Sequence, residues 1–455
     1  MDEGGTEQAG DGRVGGKARA AALYAALTLL MAYPLWVHPT STWLTVGPDE
    51  DLLMWTLAWD THAIVSQPLS VFDANIYYPQ TTTLAYSENM LGSVPFSAPV
   101  LWLTGNPVLA LNVVALLSIV LCGLGAYVLA RRLGMDPAAA VLCGLIFAFS
   151  PARFFRIGQL HLTTVQWIPF GLASLHAYLD GGRGRDLKLA AFFFTLQALT
   201  SGHGAVFATL GMLGLVAWRV ALGEPVESLR RLRDLGVTGA LILLPAALVF
   251  VPYRRVQVEM GLQRSLENWA PTPESFLASP AVVQTWLLSL MPDADILARA
   301  SSYLFPGFLP ILLAAAALSW RRSSPRRGTR WTRAAAFAEM TALAGLALAV
   351  AVMVTGPIRL EIGDTLLLSA RNPRRAYLVV AVATALRAAM LMRVPFEMVP
   401  RLRRWRDGWR RWAAAHRRGV VPFYGLLTLV SVLLSVGPPL GVWPLVYWLP
   451  GLNFI

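Results

Sequence analysis

Long apolar runs bounded by clusters of charge recur along nearly the whole chain. A helix that crosses a bilayer needs about 20 mostly apolar residues, because hydrocarbon cannot satisfy free backbone N–H and C=O groups. On that criterion the pattern predicts eleven spans, at about 20–38, 107–130, 135–152, 167–180, 188–201, 204–219, 235–252, 303–320, 334–356, 376–392 and 419–437. The stretch 90–105 is also apolar, but counting it as a span would place Arg131 and Arg132 on the opposite side and invert everything after them. It is assigned to the membrane interface.

The polar connections set the orientation. With the N-terminus inside, the tail and the connections 131–132, 183–188, 219–233, 321–333 and 393–418 carry 27 of the 38 Lys/Arg, and the opposite loops carry ten. This asymmetry recurs at five connections and follows the positive-inside rule. The expected organisation is a cytoplasmic tail at 1–19, a transmembrane domain at 20–392 with long outer loops at 39–106 and 253–302, a basic cytoplasmic connection at 393–418, and a C-terminal span with an outer segment at 419–455. Shorter outer connections lie near 153–166, 202–203, 357–375 and 438–455. The fold class is an all-α polytopic membrane protein with a long first outer loop.

Composition agrees. With 56% hydrophobic and 14% charged residues in 455, the chain is too apolar for an ordinary soluble domain. The net charge of +12 is dispersed between apolar blocks rather than gathered on one face, which argues against nucleic acid as a partner. Only Lys17 and Lys188 are lysine, as in a GC-rich bacterial coding sequence, so the expected location is the bacterial inner membrane, multi-pass. Residues 1–19 are Gly-rich and of mixed charge, and the run from Ala20 has no small-residue cleavage site, so it reads as a first span rather than a cleaved signal. Cys122 and Cys143 sit inside apolar runs without metal-ligand spacing.

Candidate chemistry collects on the outer side. The first loop opens a surface helix with Asp49, Glu50 and Asp51, followed by Trp55, Trp59, Asp60 and His62. A carboxylate at the bilayer edge can act as general base for an acceptor hydroxyl, or ligate a divalent cation that neutralises a phosphate leaving group. A solvated acidic helix start is the equally balanced alternative. The second outer connection offers Arg153, Arg156, Gln159, His161, Gln166 and Trp167, donors suited to a lipid phosphate or to headgroup anchoring. His203 lies in a tight turn on the same side, and Arg254 opens a loop that continues with Glu259, Arg264 and Glu267, then Asp293 and Asp295, read as a covering helix. Arg387, Glu339 and His176 lie near span ends, where snorkelling or local pairing accounts for them. No nucleotide-binding, zinc-protease or serine-hydrolase motif is present.

Several segments in order carry a family resemblance: Asp51–Trp59 (DLLMWTLAW), Leu69–Pro79 (LSVFDANIYYP), Thr83–Glu88, Asn106–Asn112 (NPVLALN), Phe147–Arg153 (FAFSPAR), Gln159–Pro169 (QLHLTTVQWIP), Pro252–Tyr253, Gly261–Glu267 (GLQRSLE) and Tyr303–Gly307 (YLFPG). The chain resembles bacterial membrane proteins of the GT-C glycosyltransferase superfamily, in the group similar to mannosyltransferases and lipopolysaccharide-core galacturonosyltransferases. The resemblance implies a GT-C-like bundle, a polyprenyl-phosphate-linked sugar as donor, a glycan, lipid or protein acceptor, and transfer on the extracytoplasmic side. It assigns the base to Asp51, with Asp49 and Glu50 as neighbours able to substitute. Asp49 and Asp51 become candidate ligands of a divalent cation, Mg or Mn. Arg153, Arg156, His161, Gln166, His203 and Arg254 become substrate or phosphate contacts. The group continues beyond Trp448–Ile455 with an Arg-Pro-Arg-type segment and further spans, so the chain is expected to be a truncation or a shortened relative lacking a late-chain contribution to catalysis. The competing expectation is a non-catalytic binder or transporter of a lipid-linked glycan.

Overall fold

A computed structural model describes residues 4–43, 48–221, 227–261, 271–289, 296–320, 330–355, 358–362, 365–370, 379–380, 382–386, 419–435 and 442–446. Arg264, Glu267, Asp293, Asp295, Arg387, most of the span expected at 376–392 and the connection 393–418 lie outside the described residues. The chain divides into two compact units, one of residues 1–270 with 418–455 and one of 271–417.

The first unit is a helical bundle of α1 (Gly4–Met31), α2 (Pro48–Ser66), α3 (Val94–Thr104), α4 (Pro107–Arg132), α5 (Pro137–Ala148), the single turns α6 (Pro151–Phe154) and α7 (Leu160–Thr163), then α8 (Trp167–Gly181), α9 (Gly184–Thr200), α10 (Gly202–Ala221) and α11 (Glu227–Met260). Helix Val420–Ser435 packs on α10. Among the described residues, α4 and α10 are long and apolar enough to cross a bilayer, and Leu91–Thr104, Pro137–Ala148, Phe337–Leu348 and Val420–Ser435 are shorter apolar helices.

Local sequence explains the boundaries. Asn106 caps α4 by accepting from the Leu109 N–H at 2.8 Å, and Pro107 follows at a position where its missing N–H costs nothing. Gly105 ends α3 with φ +64°, a conformation that costs glycine little. Asp136 caps α5 through the N–H groups of Ala138 and Ala139, again with proline next. Helix α1 differs from expectation at both ends: it begins within the tail expected at 1–19 and stops at Met31, where the expected span runs to 38. An established helix propagates into neighbouring residues at low cost, while the ring of Pro34 blocks continuation.

Close packing of α1, α4 and α5 depends on two glycines. Tyr24 is fully buried and donates from its hydroxyl to the Val141 carbonyl at 3.0 Å. Its ring lies where a Cβ on Gly123 would come to 2.8 Å, and a Cβ on Gly144 would overlap its hydroxyl and reach the Gly123 carbonyl at 2.7 Å. A second cluster joins Leu172, Leu175, Tyr178 and Leu179 of α8 to Leu187 and Ala190 of α9, Leu215 of α10 and Phe423.

The second unit holds α12 (Val282–Ser289), α13 (Ile296–Arg299), α14 (Phe308–Trp320) and α15 (Arg330–Thr355). An antiparallel hairpin, β1 (Ile358–Ile362) with β2 (Thr365–Ala370), lies in the connection expected at 357–375 and adds strand to an otherwise helical fold. Ile358, Leu360 and Ile362 alternate there with Arg359 and Glu361, the period of a strand with two unlike faces.

Gly144→Ala is therefore expected to destabilise the bundle by about 1–3 kcal/mol through overpacking against Tyr24. Gly181→Ala, where a Cβ meets nothing within 4 Å, leaves stability unchanged. Thermal unfolding of both variants in detergent checks this, and equal midpoints would show that the three-helix contact is looser than described.

Candidate functional site

Helix α2 starts at the sequence Pro48-Asp49-Glu50-Asp51, so three carboxylates occupy its first turn, where the N-terminal end of the helix dipole favours negative charge. Their surroundings differ. Asp49 Oδ2 accepts from Gln159 Nε2 at 2.8 Å, tying α2 to the segment between α6 and α7. Glu50 is buried, and Asp51 is exposed with no hydrogen bond or ion pair among the described residues. Residues two apart on a helix do not share a face, and a helix N-terminus opposes a cation. No cluster of three or more potential metal ligands occurs among the described residues.

Gln159 leads into α7, which carries His161. Its ring centroid lies 5.9 Å from that of His203, in the first turn of α10. Ser201 clamps the two elements together: its hydroxyl donates to the His161 carbonyl and accepts from the Gly204 N–H at 3.0 Å.

The strongest polar contact of this region involves Glu88, which the sequence reading did not single out as a site residue. Glu88 Oε2 accepts from the Gly202 N–H at 2.7 Å, and Oε1 lies 2.7 Å from His203 Nδ1. An ionised carboxylate can only accept, so Nδ1 carries the hydrogen and Nε2 is the ring nitrogen that Glu88 does not engage. Burial alone would push the Glu88 carboxyl up, but the bond and charge of His203, the Gly202 N–H and the nearby His161 together hold it below the usual carboxylate range. A Cβ on Gly202 would sit 3.2 Å from Glu88 Oε2, so glycine at this turn lets the carboxylate approach the backbone closely.

Next to Glu88, Asn89 donates from Nδ2 to the Tyr253 hydroxyl at 2.9 Å, and Phe72 meets the Tyr253 ring edge-on at 5.7 Å. Burial raises the Tyr253 phenol well above its ordinary value, and the carboxyls of Glu88 and Asp60 add to the rise. Asp60 itself is fully buried on α2, and neither of its oxygens has a hydrogen-bond partner among the described residues. Burial pushes its carboxyl well up, because a site without water or a partner disfavours the charged form. Leu53, Thr56, Leu57 and Asp60 repeat at helical spacing and are all buried, so the periodicity of α2 marked Asp60 as inward-facing.

Arg153 is turned into the bundle. Its guanidinium donates to the Ala148 carbonyl at 2.7 Å, the Thr163 carbonyl at 3.0 Å and Ser118 Oγ at 3.0 Å, stapling α4, α5 and α7. Arg156 is partly buried with no partner among the described residues, and burial lowers its pKa. Gln166 is buried with Oε1 unpaired, and Arg254 is exposed and donates to Gln257 at 2.9 Å. The structure thus brings Asp49, His161 and His203 together through Gln159, Ser201 and Glu88, whereas Arg153 and Gln166 serve the interior.

Two pH predictions follow from these environments. A carboxyl held low in the folded state contributes stability above its unfolded value, near pH 4.5, and loses it as pH falls through the lower folded value. Glu88→Gln should remove that part of the acid-side dependence of the thermal midpoint; an unaltered acid limb would rule out the Glu88–His203 pair. Asp60 has the opposite sign: its raised value contributes stability at low pH that is lost as pH rises through it. Asp60→Asn should be at least as stable as the parent at pH 8, and a large loss there would mean that Asp60 is ionised and paired.

No protein-family model matches the chain, and no solved structure matches it. A stretch of 152 residues, 33% of the chain, is 33% identical to an undecaprenyl phosphate-alpha-4-amino-4-deoxy-L-arabinose arabinosyl transferase of Pseudomonas aeruginosa strain PAO1. The protein of that name in Pseudomonas paraeruginosa matches to the same extent. The chain covers 27% of the length of each of these relatives. The similarity supports the superfamily resemblance drawn from the sequence and does not extend to the mannosyltransferase and galacturonosyltransferase group.

Proposed function

We propose that the protein is a multi-pass membrane glycosyltransferase that moves a sugar from a polyprenyl-phosphate-linked donor to an acceptor hydroxyl on the extracytoplasmic side. The observation that carries this reading is the joining of the start of α2, α7 and the α9–α10 turn through Asp49–Gln159 and Glu88–His203. Local similarity to transferases named for an undecaprenyl phosphate-linked sugar supports a lipid-linked donor.

In the proposed reaction the Asp51 carboxylate takes the proton of the acceptor hydroxyl, whose oxygen bonds to the anomeric carbon. The bond from that carbon to the phosphate oxygen breaks, and polyprenyl phosphate leaves with the electron pair. Asp51 suits this role because it is exposed and unpaired among the described residues, whereas Asp49 is engaged by Gln159 and Glu50 is buried. Arg156 and His203 Nε2 receive the phosphate. Arg153 already donates to three internal acceptors, so it positions α7 rather than binding the donor. No step is routed through a cation.

Purified protein supplied with radiolabelled polyprenyl-phosphate sugars should turn over. Asp51→Asn should lower turnover by about 100-fold or more with the fold retained, the scale of losing a general base. Full turnover in that variant would remove Asp51 as the base. Donor binding without transfer by the parent protein would favour a non-catalytic binder instead.

A further inference from the structure

The second unit contains a stretch whose polarity is the reverse of a water-facing connection. Between Glu274 and Asp293 there is no charged residue. Its polar side chains turn inward: Ser275, Ser279 and Gln284 are buried, as are Ala278, Ile296 and Phe305. Hydrogen bonds hold them there. Ser275 Oγ accepts from the Ser302 N–H at 3.2 Å and lies 3.2 Å from Thr272 Oγ1, Ser279 Oγ accepts from the Ala281 N–H at 3.2 Å, and Gln284 Nε2 donates to the Leu277 carbonyl.

The apolar side chains turn outward. On α12, Val282 is 85% exposed, Val283 61% and Trp286 60%. At about 3.6 residues per turn these three positions share one face of the helix, and the buried Gln284 lies on the other. Water favours the opposite arrangement, so a buried amide behind an exposed apolar face marks a surface that meets something other than water. With eight residues, α12 is about 12 Å long against about 30 Å of hydrocarbon, so it cannot cross a bilayer.

We propose that α12 is an interfacial anchor that lies along the bilayer surface, with Val282, Val283 and Trp286 in the acyl-chain boundary and Gln284 turned toward the protein. The proposal rests on the multi-pass membrane reading above. Amphipathic helices in the plane of a membrane bury their apolar face where headgroups meet acyl chains, and tryptophan is favoured at that depth. The helix carries no charge, so apolar area alone drives the contact and anionic lipid is not required. A second copy of the chain is the poorer occupant, because three partly exposed side chains fall short of the roughly 800 Å² per partner of a stable protein interface. An anchor here holds the connection expected outside at 253–302 at headgroup depth, where the phosphate of a lipid-linked donor also lies.

The test is nitroxide labelling of the full chain in phosphatidylcholine vesicles, with Cys122→Ala and Cys143→Ala as background. A label placed by Val283→Cys, and separately by Val282→Cys, is measured for collisions with oxygen, which concentrates in hydrocarbon, and with a water-soluble nickel chelate present on both sides. Leu213→Cys, at an exposed position of the apolar helix α10, is the reference for lipid, and Arg185→Cys, at an exposed polar position, the reference for water. The labels on α12 are expected to show an oxygen-to-nickel ratio several-fold above that at 185 and close to that at 213. A ratio at 282 and 283 equal to that at 185, with 213 in lipid, would overturn the anchor and leave the multi-pass reading standing. Shielding of 282 and 283 from both reagents would overturn it in favour of a protein on that face, a second copy included. A label at 213 as open to nickel as the one at 185 would overturn the multi-pass reading and the anchor with it.

Discussion

A carboxylate taken out of water must find charge-assisted partners, and Glu88 meets that requirement by bridging two distant parts of the chain. Its partners, the Gly202 N–H and His203, lie more than a hundred residues downstream. The first connecting loop is thereby pinned to the turn between α9 and α10. From that anchor the neighbouring groups take their places: Asn89 reaches Tyr253 of α11, Ser201 holds the backbone of α7, and α7 presents His161 beside His203. Breaking one partner would leave an uncompensated charge and would release the loop carrying the remaining polar residues.

The arginines show how the same residue type divides between structure and chemistry. Arg153 and Arg156 lie three residues apart in one short connection, equivalent by composition. The first donates to the backbone carbonyls that end α5 and α7 and to a serine hydroxyl within α4; the side chain of the second has no partner among the described residues. Helix termini leave carbonyls unsatisfied, and a buried guanidinium is one of few side chains able to serve several of them together. At the other end of the bundle, Arg132 and Arg219 meet over Asp180, so the two faces carry different polar chemistry.

What was legible in the sequence was local. Hydropathy marked α4 and α10, and the acidic start followed by a Leu/Trp pattern marked α2 as a helix. The caps of Asn106 before Pro107 and of Asp136 before Pro137 place the starts of α4 and α5 more finely than the apolar runs did. The pairing of Glu88 with His203 was not legible, because nothing at either position encodes a partner 115 residues away. The burial of Asp60 was encoded, in its spacing from Leu53 and Leu57, but a carboxylate at such a position reads as exposed unless periodicity is weighed above polarity. The hairpin at 358–370 was likewise written in its alternation and was masked by the helical pattern around it.

The central claim is that the polar cluster joining the start of α2, α7 and the α9–α10 turn receives the phosphate of a lipid-linked donor. A cryo-electron microscopy map of the full chain with a polyprenyl phosphate tests it most directly. The account predicts phosphate density within hydrogen-bond reach of Arg156 or His203 Nε2, facing the start of α2. Phosphate density elsewhere, with none beside those residues, would contradict it.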